Sequence, residues 1–149
     1  WQCHPSSRGK IEITSPDPNE SPRIEPNYLF EELDQKTMIE GIKILRKIYV
    51  QPKFRDLWEE EVVPGLDVKS DKEILRAIRQ GGGTVYHPVG TCKMGVDKEA
   101  VVSPDLRVHG VDGLRVVDAS IMPLITSANT NAPTLMIAEK AADLILKDC

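Results

Sequence analysis

The sequence has no apolar run approaching the roughly 20 residues that cross a bilayer. Charge or proline interrupts every hydrophobic stretch within a few residues, so a soluble, cytoplasmic protein is the default expectation. A basic excess is also lacking: the formal charge is −4 and the pI is near 5.4. Local basic patches aside, that excludes a nucleic-acid backbone or an anionic membrane as the main partner, because either needs a basic face. Cysteine is scarce. Cys3, Cys92 and Cys149 make an odd number at wide spacing, which is neither a disulfide framework nor a CxxC metal site. Repeats and low-complexity tracts are missing. So are an initiator Met, a basic leader and an apolar leader, which leaves no visible targeting signal. A chain starting Trp-Gln-Cys is expected to be a piece of something longer.

What is present suffices for one compact domain: 149 residues, 40% of them hydrophobic. In "GKIEITS", Gly9 to Ser15, Ile11 and Ile13 alternate with charge, which predicts a half-buried strand. The next segment, "SPDPNESPRIEPNY", holds four prolines and should cross a surface in turns. From about Asp34 to Tyr49 a helical period places Met38, Ile42, Leu45 and Tyr49 on one face, and Pro52 limits its length. Ser70 with Glu73 reads as a capping box opening a second helix, which Gly81-Gly82-Gly83 ends. Leu114 to Val117 reads as a short buried strand, and "APTLMIAEKAADLILKD" as a terminal helix with Pro133 in its first turn.

Two stretches carry candidate chemistry. In "TVYHPVGTCKMG", Thr84 to Gly95, Pro88 biases His87 toward an extended conformation. Its imidazole, of a type with a reference pKa of about 6.5, can accept a proton from a hydroxyl. Spacing alone leaves a structural or surface histidine as the commoner reading. Cys92 is better read as a small buried hydrophobe than as the thiol of a Cys-His pair. His4 and His109 have no partners at metal spacing, and no metal site is visible. The acidic run Glu59-Glu60-Glu61 reads as a solvated face. In "VVDASIMPLITSANTNAPT" a strand end of small residues leads to the polar cluster Asn129-Thr130-Asn131 and a helix start. Such a helix N-terminus suits an anionic ring or phosphate, while an ordinary Asn cap explains the cluster equally.

Taken together, "YHPVGTCKMG", "VVSPDLRVHGVDGLRVVDASIMP" and "NTNAPTLMIAEKAADLI" closely resemble the C-terminal module of the glucose-methanol-choline (GMC) flavin oxidoreductases, which include choline, alcohol and glucose dehydrogenase-like enzymes. The motifs occur in the family's order and spacing over about Tyr86 to Ile145. The opening "HPSSRGKIEITSPDPNESPRIEPNYL" extends the likeness over nearly the whole chain. The resemblance implies FAD as cofactor and a small-molecule alcohol as substrate, with a hydride passing to the flavin while a histidine removes the hydroxyl proton. It identifies His87 as that base and Asn129 as its partner across the substrate oxygen. An Asn cannot titrate, which leaves His87 as the base of the pair. It further assigns Asp118 and Ala119 to the turn beside the flavin's phosphate and ribityl region. Asn131, Ala132 and Pro133 begin a helix facing the flavin ring. That helix end would favour negative charge by about 0.3 to 1 kcal/mol. Gly90 and Gly95 are matched as backbone turns.

The implied fold class is α+β, as the C-terminal part of a two-domain enzyme. Residues 1–90 would belong to an antiparallel-sheet substrate domain. Residues 91–149 would return to the FAD-binding α/β domain, adding a last strand at Leu114 to Val117 and the closing helix. The family's GxGxxG dinucleotide fingerprint is missing from this chain. The expectation is therefore a C-terminal fragment whose partner is the N-terminal FAD-binding portion. Alone it should be inactive, bind FAD weakly or not at all, leave strands short of partners and expose apolar surface. The electron acceptor, oxygen or quinone-like, is left open. A cyanohydrin lyase on the same scaffold and a binding module without flavin are the alternatives.

Overall fold

The computed structural model describes residues 1–148, so Cys149 lies outside the described residues. Along the chain come β1 (Lys10–Glu12), β2 (Arg23–Glu25), α1 (Glu32–Tyr49), α2 (Pro52–Arg55) and α3 (Asp71–Gly81). A single 3-10 turn (Ala119–Ile121) and α4 (Asn131–Leu146) follow. The mixture is α+β as expected. β1 and β2 form a two-stranded antiparallel sheet. The predicted first strand shrinks to three residues and is not half-buried, for its Ile11 is 45% exposed and Ile13, beyond its end, 88%.

The chain divides into two compact units. The first joins Trp1–Gly9 to Ile24–Val85. Here α1 packs on α3, burying Ile39 and Ile74. Acidic Glu32 and Asp34 in its first turn and basic Arg46 and Lys47 in its last suit the dipole of α1. The helix stops before Pro52, which opens α2 instead. The capping box of α3 is present as read: Glu73 N–H donates to Ser70 Oγ (3.3 Å) and Ser70 N–H to Glu73 Oε2 (3.0 Å).

The face of α1 that its sequence period predicts is covered in its first half, where Met38 and Ile42 are half-buried and Asp34 lies one turn before Met38 on the same side. Asp34 and Ile39 are buried, while Leu45 and Tyr49 stay exposed. Asp34 accepts from Gln2 Nε2 (2.7 Å), Ser6 N–H (2.8 Å), Ser7 N–H (2.7 Å) and the Ser7 hydroxyl. At the other end, Arg46 donates both Nε and Nη2 to Glu61 (2.8 and 2.7 Å) and also reaches the carbonyls of Gly65 and Val68. Glu61 is thus not a solvated charge. Its carboxyl is held below the usual range chiefly by the Arg46 hydrogen bonds, which outweigh its burial. Leu45 and Tyr49, with Trp58 stacked on Tyr49 (6.1 Å between centroids), line an apolar cavity of about 120 Å³.

The second unit comprises Lys10–Arg23 and the chain from Tyr86 onward. Its core is Val102, Leu106, Ile121, Met122, Ile137 and Ala141. The strand expected at Leu114–Val117 does not form; Arg115 makes only an isolated bridge with Arg107. A strand needs an adjacent partner along its length. Here Leu114 accepts from Val108 N–H and Val116 donates to Leu106 O, so a tight loop takes up the hydrogen bonds. This agrees with the expectation of strands short of partners. Apolar surface is exposed too, including Leu135 and Met136 on α4, each 60% accessible.

Candidate active site

The candidate site is assembled entirely within the second unit. It starts at Tyr86, which holds φ 60°, an uncommon left-handed conformation for a bulky residue. His87 and Pro88 follow. Gly90 takes φ 91°, and a Cβ there would come within 3.3 Å of the Met122 carbonyl. Beyond it, Cys92 N–H donates to Ser120 O (3.0 Å) and Met94 N–H to Ile121 O (2.8 Å). These two bonds fix the histidine-bearing segment to the 3-10 turn. In Cys92 it is thus the backbone that has a visible task, while the half-buried side chain agrees with the packing role. His109, which is exposed, meets the Gly95 carbonyl through Nε2 at 3.2 Å.

Asn129 lies 42 residues from His87 in sequence, yet its Nδ2 is 2.9 Å from His87 Nε2. The two residues paired by motif resemblance are therefore neighbours in space. A third was not foreseen: the Thr130 hydroxyl lies 3.0 Å from His87 Nδ1. The imidazole is gripped at both nitrogens. Thr130 is buried at 7% exposure and its carbonyl accepts from Thr134 N–H (3.0 Å) and Oγ1 (2.6 Å), which pins it to α4. It is the N-cap residue of α4, but its side chain makes no capping bond. The sequence does hold one clue, since the third helical residue is Pro133 and has no N–H to be capped.

Asp118 precedes the 3-10 turn and caps it, with Oδ1 accepting from Ser120 N–H (2.7 Å) and Oγ (2.5 Å). Ala119 is half-buried against the core. Asn131 and Ala132 are exposed at the start of α4, with Pro133 half-buried beside them. Without a side-chain cap, the first amides of α4 remain available to an anionic or electron-rich group.

The arrangement suits proton removal from a hydroxyl. Nδ2 of an amide has only hydrogens to offer, so His87 Nε2 carries the lone pair. Because Asn129 is exposed, an entering hydroxyl can donate to Nε2 while Asn129 N–H turns to the hydroxyl oxygen.

Known proteins place the chain in context. Residues 5–138 match the family model described as GMC oxidoreductase. An alcohol dehydrogenase (acceptor) of Pseudomonas putida is 52% identical over 96% of this chain, which covers 26% of the relative. An oxygen-dependent choline dehydrogenase of Burkholderia cenocepacia is 51% identical over 93% of this chain and 25% of its own length. Among solved structures, an FAD-dependent oxidoreductase from Chaetomium thermophilum superposes with TM-score 0.91 at 32% identity, over 98% of this chain and 26% of that one. The chain thus spans about a quarter of the length of the relatives it matches.

Proposed function

Because the chain belongs to the GMC oxidoreductase family, we propose that it is the C-terminal portion of an FAD-dependent enzyme that oxidises an alcohol, with His87 as the base. The observation that carries this reading is the 2.9 Å approach of Asn129 to His87 Nε2, a basic nitrogen beside a neutral amide donor. The names of the relatives, alcohol and choline dehydrogenases, support the substrate class. In the complete enzyme, residues 1–90 would serve a substrate domain and residues 91–149 the flavin domain.

The residues present fit the cofactor. The uncapped start of α4, at Asn131, Ala132 and Pro133, offers amides and a partial positive charge to the ring. Asp118 and Ala119 would approach the phosphate and ribityl region through backbone, since the Asp118 carboxylate is already engaged by Ser120. When bound, FAD supplies the acceptor for the hydride leaving the alcohol carbon. His87 Nε2 takes the hydroxyl proton, and Asn129 holds the oxygen in line through its amide hydrogens.

The test uses the complete polypeptide purified with its flavin. A primary alcohol added without oxygen should bleach the flavin absorbance. Flavin that stays oxidised while a cyanohydrin is cleaved would favour the lyase reading, and a protein purified without flavin bands would favour a binding module. Asn129→Ala should slow the bleaching by about tenfold, the loss of one good hydrogen bond to the reacting oxygen. An unchanged rate would remove Asn129 from the site.

A further inference from the structure

We infer that Thr130 is a positioning residue that sets which nitrogen of His87 is basic, an inference that rests on the proposed role of His87. The Nδ2 of Asn129 lies 2.9 Å from Nε2 and can only donate, so a neutral imidazole must carry its proton on Nδ1. Nδ1 faces the Thr130 hydroxyl at 3.0 Å, and that oxygen accepts the Nδ1–H. The opposite tautomer would point an Nε2–H at the Asn129 amide hydrogens and need the Thr130 hydroxyl as donor. The two contacts therefore select one tautomer together.

The helix start is built to release this hydroxyl. An N-cap threonine ordinarily accepts from the amide of the second or third helical residue. In α4 the third is Pro133, with no N–H, and Thr130 has αR backbone angles (φ −80°, ψ −4°) in place of the extended cap conformation. Its hydroxyl makes no capping bond and turns to His87 instead. Thr134 holds the Thr130 carbonyl with two hydrogen bonds, and Thr130 is 7% exposed, so water is kept from competing. When Nε2 gains a proton, the Nδ1–H bond to Thr130 is kept and the hydroxyl oxygen faces the new positive charge. The positioning contact thus persists through the proton transfer.

The experiment compares Thr130→Val, Thr130→Ala and Thr130→Ser in the complete flavin-loaded enzyme. Nitrogen-15 spectra of histidine-labelled protein, with His87 assigned by its loss in His87→Gln, should show the Nδ1–H tautomer in the parent and in Thr130→Ser. The Val and Ala variants should show a mixture or the Nε2–H form. In the same proteins the limiting rate of anaerobic bleaching by alcohol should fall about tenfold for Val and Ala with little change in KM. Ser should return it to within about twofold of the parent, since only the oxygen is needed. A parent tautomer in Val and Ala overturns the inference, and so does a Ser variant that behaves like Val, because a packing role needs the methyl group. Failure of the base assignment is separable: His87→Ala at parent rate would abolish the meaning of the rate comparison and leave the tautomer measurement standing.

Discussion

His87→Ala in the complete enzyme should slow anaerobic flavin reduction by alcohol by about 10² to 10⁴, the range a positioned general base contributes. That corresponds to roughly 3 to 5 kcal/mol of barrier. The effect should lie in the limiting rate more than in KM, because the proton is transferred only as the reaction proceeds. The substitution is suited to the purpose. His87 is half-buried, and its segment is fixed by the backbone bonds of Cys92 and Met94, which the change leaves alone. Flavin content and thermal stability should therefore stay near those of the parent. Added imidazole should restore part of the rate if the lost group acts as a base. Reduction at the parent rate would sink the assignment of His87, whatever the cofactor does.

The second large effect is on stability. Asp34 is buried and collects four donors from the N-terminal segment, two of them backbone amides. Asp34→Ala strands Ser6 N–H and Ser7 N–H and also frees the Ser7 hydroxyl, which accepts from Glu31 N–H (3.0 Å) at the start of α1. The expected loss is about 2 to 3 kcal/mol. Hydrogen exchange should show it as faster exchange at Ser6, Ser7 and Glu31, and unchanged protection there would refute it. Asp34→Asn should fare little better, because one amide NH₂ must then face a donor.

The same residue predicts acid sensitivity. Burial raises the Asp34 carboxyl, but the bonds from Ser7, Ser6 and Gln2 win and bring it from 3.8 to about 2. A carboxyl whose folded pKa is lowered stabilises the fold above its unfolded value and loses that contribution as pH falls through the folded one. Protection of Ser6 and Ser7 should accordingly be full above about pH 4 and decline toward pH 2, with the decline missing in Asp34→Asn.

Much of this was legible locally. A capping box at Ser70 and Glu73, a helical period broken before Pro52 and a terminal helix holding Pro133 each follow from rules acting over three or four residues. The site motif was legible in another way, since His87 and Asn129 were paired by resemblance to a family and the fold brings them within hydrogen-bonding distance. Where the reading went astray, a distant residue intervened. Asp34 sits on the apolar stripe of α1 beside Met38, and its burial there rests on bonds from Gln2, Ser6 and Ser7 far along the chain. Glu61 looked like one of three solvated acids until Arg46, 15 residues away, engaged it.

The sequence by itself determined the three long helices, the family motifs and the choice of His87 as the residue to test. Period, caps and proline positions are properties of neighbours, and they survive whatever the rest of the chain does. Only the tertiary structure decided that Leu114–Val117 stays a loop, that Asp34 is a buried staple and that Thr130 turns from its helix to the imidazole. Each of these depends on which polar group satisfies a buried donor or acceptor. That partner is chosen by the path of the chain through space, and nothing in the four residues to either side encodes it.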